Sequence, residues 1–350
     1  MPHSLYSGRA RSYLIKNRIP FEERSTGHES FKAEVLPKSK LPTIPTLVTA
    51  EGKVIRDGAA IIEHFEATTG RACQPRGARQ QVISALFDVI GTDGLLRPAM
   101  HYRWNFPEDN LAFVRYHFLH SQRDVPAREE KTEAMMNRMR HAAMIFGVTE
   151  QSQPVVEALY LEYLEALNIH FEHHPYLLGW RPCIGDFGLL APMYGHLVRD
   201  PYPARRMQQR APAVYRWVER MNREDQDAPE LFKAGSGFLA NDEVPETMAA
   251  AVLIDRWLAE RQPDPGAVAV GRLAEALGTA DFIVRGEPIA ALAQPHRFYL
   301  LQPVQEAFTI LSGQKQTEVR ALLEACGMER LLTAVLSRRI TRSDNLEVWE

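Results

Sequence analysis

Cysteine is scarce in this chain. Cys73, Cys183 and Cys326 are its three thiols, an odd and scattered set with no metal-ligand spacing. That excludes a disulfide framework and points to a reducing, cytoplasmic setting. Charge of one sign is also lacking: 41 Lys and Arg stand against 44 Asp and Glu, a net charge of −3, so nothing marks a nucleic-acid or anionic-membrane partner. No apolar run approaches the length of a membrane span. Met1-Pro2-His3-Ser4 leads into basic and polar residues rather than the apolar segment of a secretory leader. There is no phosphate-loop or dinucleotide fingerprint and no internal repeat. Gly235-Ser236-Gly237 lacks the outer glycines of a nucleophile elbow. His170, His173 and His174, and the pair His117 and His120, have helical spacing but no evident third ligand, so no metal site is expected.

What is present suffices for several cores. The 350 residues are 45% hydrophobic, enough for two or three domains. The most informative stretch runs from Thr43 to Phe65. Thr46, Leu47, Val48 and Thr49 have strand composition, Ala50-Glu51-Gly52-Lys53 supplies a turn, and Val54 and Ile55 resume the strand. Asp57 is suited to cap a helix in which Ala60, Ile61 and Phe65 recur at helical spacing. Pro45 at the entrance to the first strand is either an edge residue or a cis bend.

Ile44-Pro45-Thr46-Leu47-Val48, a hairpin, and then Asp57-Gly58-Ala59-Ala60-Ile61 resemble the glutathione site of the glutathione transferase family. The resemblance implies a cis Pro45, with the main chain of Ile44 turned to the ligand. It also implies a helix N-terminus aimed at the γ-glutamyl carboxylate, and Asp57 receiving the ligand's ammonium. A helix N-terminus offers unpaired N–H groups and partial positive charge to an anion, so the assignment is chemically sensible. Gly58 departs from the family pattern, where Ser or Thr adds a hydroxyl. The expected glutathione-binding residues are therefore Ile44, Pro45, Asp57 and Gly58.

Upstream, a helix is expected from about Tyr6 or Ser7 to Asn17, and Ile19-Pro20-Phe21-Glu22-Glu23 reads as a turn into a strand. Serine-type transferases carry a similar run. The match puts Ser4 on the catalytic serine, Arg9 on a lysine and Arg11 on an arginine, with Leu5 in place of proline. An ordinary N-cap is the alternative role for Ser4. Residues 29–36 suit a short helix, and Lys38 and Lys40 follow near where an anionic peptide would lie or in a solvated loop. In the family a first strand precedes the serine loop. Four residues before Leu5 are too few for one, so an upstream strand or a loosened first domain is expected.

From Gln80 onward the pattern is helical. Val82, Leu86 and Ile90 recur every four residues, and Val156, Leu159, Tyr163 and Leu167 form one stripe. Met100, His101, Tyr102 and Trp104 are either pocket walls or core. Cys183-Ile184-Gly185-Asp186 resembles the family's capping box, with Cys183 where a hydroxyl residue is usual. The transferase resemblance ends near Arg223. Beyond it, helices are expected at 245–262, 268–277, 303–311 and 318–335.

The expected architecture is an α/β thioredoxin-like domain (1–72), an all-helical domain (80–227) and a helical extension (228–350). The implied function is transfer of the glutathione sulfur to a small apolar electrophile, as in detoxification, with Ser4 as the catalytic hydroxyl and glutathione as co-substrate. A thiol of pKa about 8.5 must fall by roughly two units to be mostly thiolate at pH 7, a difference of about 2.7 kcal/mol. One hydrogen bond to a charged group supplies about 1.5–3 kcal/mol. A non-catalytic binding or assembly module is the alternative, and a homodimer is left open.

Overall fold

The computed structural model describes residues 3–70, 72–123, 125–224, 228–232, 235–248, 279–292, 295–333 and 339–350. The N-terminal unit comprises α1 (Leu5–Lys16), a π-helical turn (Phe31–Val35) running into α2 (Leu36–Ser39), strands β1 (Thr46–Val48) and β2 (Val54–Arg56), and α3 (Gly58–Thr69). β1 and β2 pair antiparallel with Leu47 opposite Ile55, through a turn in which Gly52 takes φ +80°. Residues 19–25 do not form the strand expected at Phe21. They are irregular, and Phe21 is 40% exposed. A strand needs an edge to pair with, and among the described residues the sheet holds β1 and β2 alone.

The helical domain is built around α9 (Ile184–Pro192), buried from Gly185 to Pro192 and apolar on all sides, as a central helix must be. Its start is fixed by Asp186. That carboxylate accepts the Cys183 N–H at 2.9 Å, the Leu177 N–H at 3.2 Å and the Trp217 indole N–H at 3.0 Å. The expected box forms with Cys183 as its cap. Helix α4 (Ala78–Val89) and the π-helical turn Ile90–Gly94 cross α9 at close range. A Cβ on Gly91 would stand 2.3 Å from the Gly188 carbonyl carbon, so only glycine allows that approach.

Helices α5 (Leu96–Trp104), α6 (Pro107–His120), α7 (Arg128–Ile145), α8 (Gln153–Phe171), α10 (Pro201–Arg210) and α11 (Pro212–Met221) complete this domain. Met100, His101 and Tyr102 are buried. His101 Nε2 lies 2.9 Å from Glu157, and Tyr102 stacks with Phe106 and Tyr202. Met100 and Tyr102 form part of the bundle core, with His101 buried beside them.

Helix α1 joins the two units. Tyr13 donates to Glu66 of α3 at 2.7 Å, and Ser12 donates to the Met221 carbonyl at the end of α11 at 2.6 Å. At its N-terminal end the Arg103 guanidinium reaches the His3 carbonyl at 2.9 Å, the Gly195 carbonyl at 2.8 Å and both oxygens of Asp200 at 2.6 and 2.9 Å.

The extension carries helices as expected and two β-hairpins besides. Hairpin β3–β4 (Thr279–Val284, Glu287–Leu292) precedes α12 (Pro295–Thr309), which lays Leu300, Leu301 and Val304 into the shared core. Helix α13 (Gly313–Ala325) and hairpin β5–β6 (Ile340–Ser343, Leu346–Trp349) follow, with Phe298, Ile340 and Trp349 in a small core of their own. The helix expected at 268–277, and all but the start of that at 245–262, lie outside the described residues.

Candidate ligand site at the start of helix α3

Three expected residues meet where β2 runs into α3. The Ile44–Pro45 bond is cis. The Pro45 carbonyl accepts the Asp57 N–H at 2.9 Å, which extends the β1–β2 ladder and brings Ile44, Pro45 and Asp57 together. Asp57 caps α3 as its sequence position requires, its Oδ1 accepting the Ala59 N–H at 2.7 Å. Burial alone would raise this carboxyl. The charges of His296, Arg342 and Arg9 and the Ala59 N–H outweigh burial and hold it at about 2. Asp57 is therefore an anion throughout the neutral range.

Two of its partners come from the extension. Arg342 Nη2 of β5 stands 3.2 Å from Asp57 Oδ1, and His296 Nε2 of α12 stands 3.5 Å from Oδ2. Glu347 of β6 lies beside them, 3.0 Å from Arg342 and 2.6 Å from Arg56. Burial pushes the His296 imidazole down, against the pull of Asp57 and Glu347, so at neutral pH the lasting positive charges acting on Asp57 are those of Arg342 and Arg9.

Gly58 is buried under α1. A Cβ there would meet Arg9 Cδ at 3.3 Å and the Tyr6 carbonyl at 3.5 Å. Arg9 continues inward and pairs with the buried Asp88. Tyr6 of α1 brings a phenol whose titration feels the charge of Asp57. Burial, then the charges of Asp93 and Asp57, raise its phenol far above the ordinary value, so it stays protonated. Asp93 in turn holds Arg297 of α12 at 2.6 Å.

Ser4 occupies the N-cap position of α1 without capping by its side chain. Its hydroxyl accepts the Ser7 hydroxyl at 3.0 Å, and its carbonyl lies near Gly195 of the helical domain. Lys40, placed by sequence near an anionic peptide, pairs with Asp344 in the turn of hairpin β5–β6 at 3.1 Å. Arg11 pairs with Glu23, Nε to Oε2 at 2.8 Å.

Sequence matching agrees with the geometry. The model of the family described as glutathione S-transferase, N-terminal domain, matches residues 1–73. Over those 73 residues the chain is similar to a glutathione S-transferase N-terminal domain. The fold in hand fits that match: a small two-stranded unit with flanking helices of thioredoxin-like kind, and then a helical domain. A search of curated proteins returned no match. Among solved structures, glutathione transferase GSTFuA3 from Phanerochaete chrysosporium is similar at 14% identity and a TM-score of 0.44, over 63% of this chain and 92% of that one.

Arg342, His296, Glu347 and Asn345 were invisible as site residues in the sequence. They lie more than two hundred residues from Asp57 and belong to no motif. The available signal was the alternation Ile340, Arg342 and Leu346, Val348 around Asp344-Asn345, a hairpin pattern with turn residues between.

Proposed function

We propose that this transferase-type chain binds glutathione, or a related γ-glutamyl compound, at Ile44, Pro45, Asp57 and Gly58, and serves as a binding module rather than an efficient transferase. The observation that carries this reading is the state of Asp57, an ionised cap carboxylate at the end of the β1–β2 ladder that already accepts cations. An ammonium is the ligand group such a carboxylate receives. Against full transferase activity stands Gly58, which lacks the hydroxyl that the family pattern places there; Ser4 accepts the Ser7 hydroxyl and keeps its own proton to donate. Tyr6 is held protonated by burial, and it could only donate a neutral hydrogen bond.

Calorimetry with glutathione, alongside turnover of an activated aromatic chloride, tests both halves. Saturable binding that Asp57→Ala abolishes is expected, with turnover at the uncatalysed rate. Substantial turnover that Ser4→Ala removes would restore the serine-type transferase. Glutathione binding unaffected by Asp57→Ala would end the assignment of the ammonium partner.

A further inference from the structure

The β5–β6 hairpin meets the candidate site with charges arranged like those of a zwitterionic ligand. Its cation, Arg342, sits 3.2 Å from Asp57, the carboxylate assigned to a ligand ammonium. Its anion, Asp344, sits 3.1 Å from Lys40. Between them Asn345 closes on the outer edge of β2. Its side-chain Oδ1 accepts the Arg56 N–H at 3.1 Å, and its Nδ2 donates to the Val54 carbonyl at 3.0 Å and the Lys38 carbonyl at 3.1 Å. In the β1–β2 register Ile55 faces Leu47, so the polar backbone groups of Val54 and Arg56 point away from β1. The Asn345 amide meets them as a peptide of a third strand would. Arg342 adds a hydrogen bond from Nη1 to the Arg56 carbonyl at 2.6 Å.

The contact has the features of a detachable piece. It is made by a two-residue turn, Asp344 and Asn345, both at positive φ. Its hydrogen bonds to β2 are polar and lie at a sheet edge, which water can replace. Ile340 and Trp349 at the base of the hairpin instead pack on Phe298 of α12, so the hairpin is anchored to the extension while its tip and the adjoining Arg342 and Glu347 reach the site. Around Asp57 the charged groups are Arg342 and Glu347 from the hairpin, His296 from α12 and Arg9 from α1. Of these, Arg342 and Glu347 would leave with the tip.

We propose that the β5–β6 hairpin is an autoinhibitory latch, in which Arg342 stands in for the ammonium of a γ-glutamyl ligand at Asp57, Asp344 holds the tip on Lys40, and both contacts must open before that ligand binds. The latch rests on the assignment of Asp57 as the ammonium partner. Ligand and tip exclude one another at a single carboxylate, so each weakens the other's hold by the same factor. A ligand lacking an ammonium has no claim on Asp57 and leaves the latch closed.

The test uses the full chain and two loosening variants: Asn345→Ala, whose bonds are to Arg56, Val54 and Lys38 and to none of Ile44, Pro45, Asp57 or Gly58, and Arg342→Gln, which removes the cation held on Asp57. Glutathione affinity is measured by calorimetry, and backbone hydrogen exchange is followed across Ile340–Trp349. Both variants should exchange faster in the hairpin and bind glutathione about tenfold tighter than the parent chain. Added glutathione should speed hairpin exchange in the parent chain, and N-acetylglutathione, which lacks the ammonium, should not. Faster hairpin exchange with unchanged glutathione affinity would overturn the latch and leave the ligand assignment standing. No glutathione binding by the parent or by either loosened variant would overturn both.

Discussion

Asn345 and Arg56 are bonded twice, backbone to side chain in each direction: the Asn345 amide oxygen accepts the Arg56 N–H at 3.1 Å, and the Asn345 carbonyl accepts Arg56 Nε at 2.7 Å. The two residues are 289 positions apart in the chain, and they tie its last hairpin to the edge of its first sheet. Arg56 completes the contact through Nη2, 2.6 Å from Glu347. An exposed strand edge is thereby closed by a side chain rather than by another strand.

Replacing Asn345 by leucine keeps the volume and removes the amide. The Arg56 N–H and the Val54 carbonyl then lose partners at a half-buried edge, at about 1–3 kcal/mol for a group left unpaired. Denaturant unfolding should show a loss in that range. A loss confined to the hairpin would appear as faster exchange at Ile340–Trp349 with an unchanged global midpoint. Unaltered exchange there would mean that Asn345 does not hold the tip.

Arg103 and Asp200 form a buried bidentate pair, with side-chain exposures of 4% and 1%, and the same guanidinium also binds the His3 and Gly195 carbonyls. Removing one charge strands the other in a medium that penalises it. Arg103→Ala should therefore destabilise by about 3–5 kcal/mol. Arg103→Met with Asp200→Leu, which removes both charges at similar volume, should cost less than Arg103→Ala alone. Equal losses from the two variants, read by denaturant midpoints, would show that the carbonyl contacts rather than the charge pairing dominate.

Asp88 gives a pH signature opposite to that of Asp57. Burial pushes the Asp88 carboxyl up to about 6, against the attraction of Arg9. The native state then holds a proton that the unfolded chain releases above its ordinary value near 3.8, so this contribution is full below that value and is lost as pH rises through about 6. Asp57 is held at about 2, so its contribution is present above its ordinary value and is lost as pH falls toward 2. Asp186, also pushed up to about 6 by burial, shares the direction of Asp88. The comparison is therefore between the parent and Asp88→Asn, by melting temperature from pH 4 to 7. The parent should lose stability relative to the variant across that window, by on the order of 1–3 kcal/mol. Parallel curves would mean that Asp88 is ionised throughout, with Arg9 outweighing burial.

The sequence by itself determined the β1–β2 hairpin, the Asp57 cap, the Cys183–Asp186 box and the helical periodicity after Gln80. Each is a local device: turn chemistry, a capping side chain or a period of apolar residues acts within a few positions of itself and is legible there. The strand expected at Phe21 was not local in that sense, since a strand exists only where another edge pairs with it, and none of the described residues does so. Ser4 carried its spacing in the sequence, but a hydroxyl's neighbour depends on what packs over it, and the fold puts the Ser7 hydroxyl there. Only the tertiary structure decided what stands against Asp57. Arg342, His296 and Glu347 reach it because α12 buries Leu301 and Val304 in the shared core and the hairpin rides on α12 through Trp349 and Phe298. Long-range charge pairing of this kind follows from how apolar faces dock. A sequence states which residues have such faces and leaves their partners to the packing.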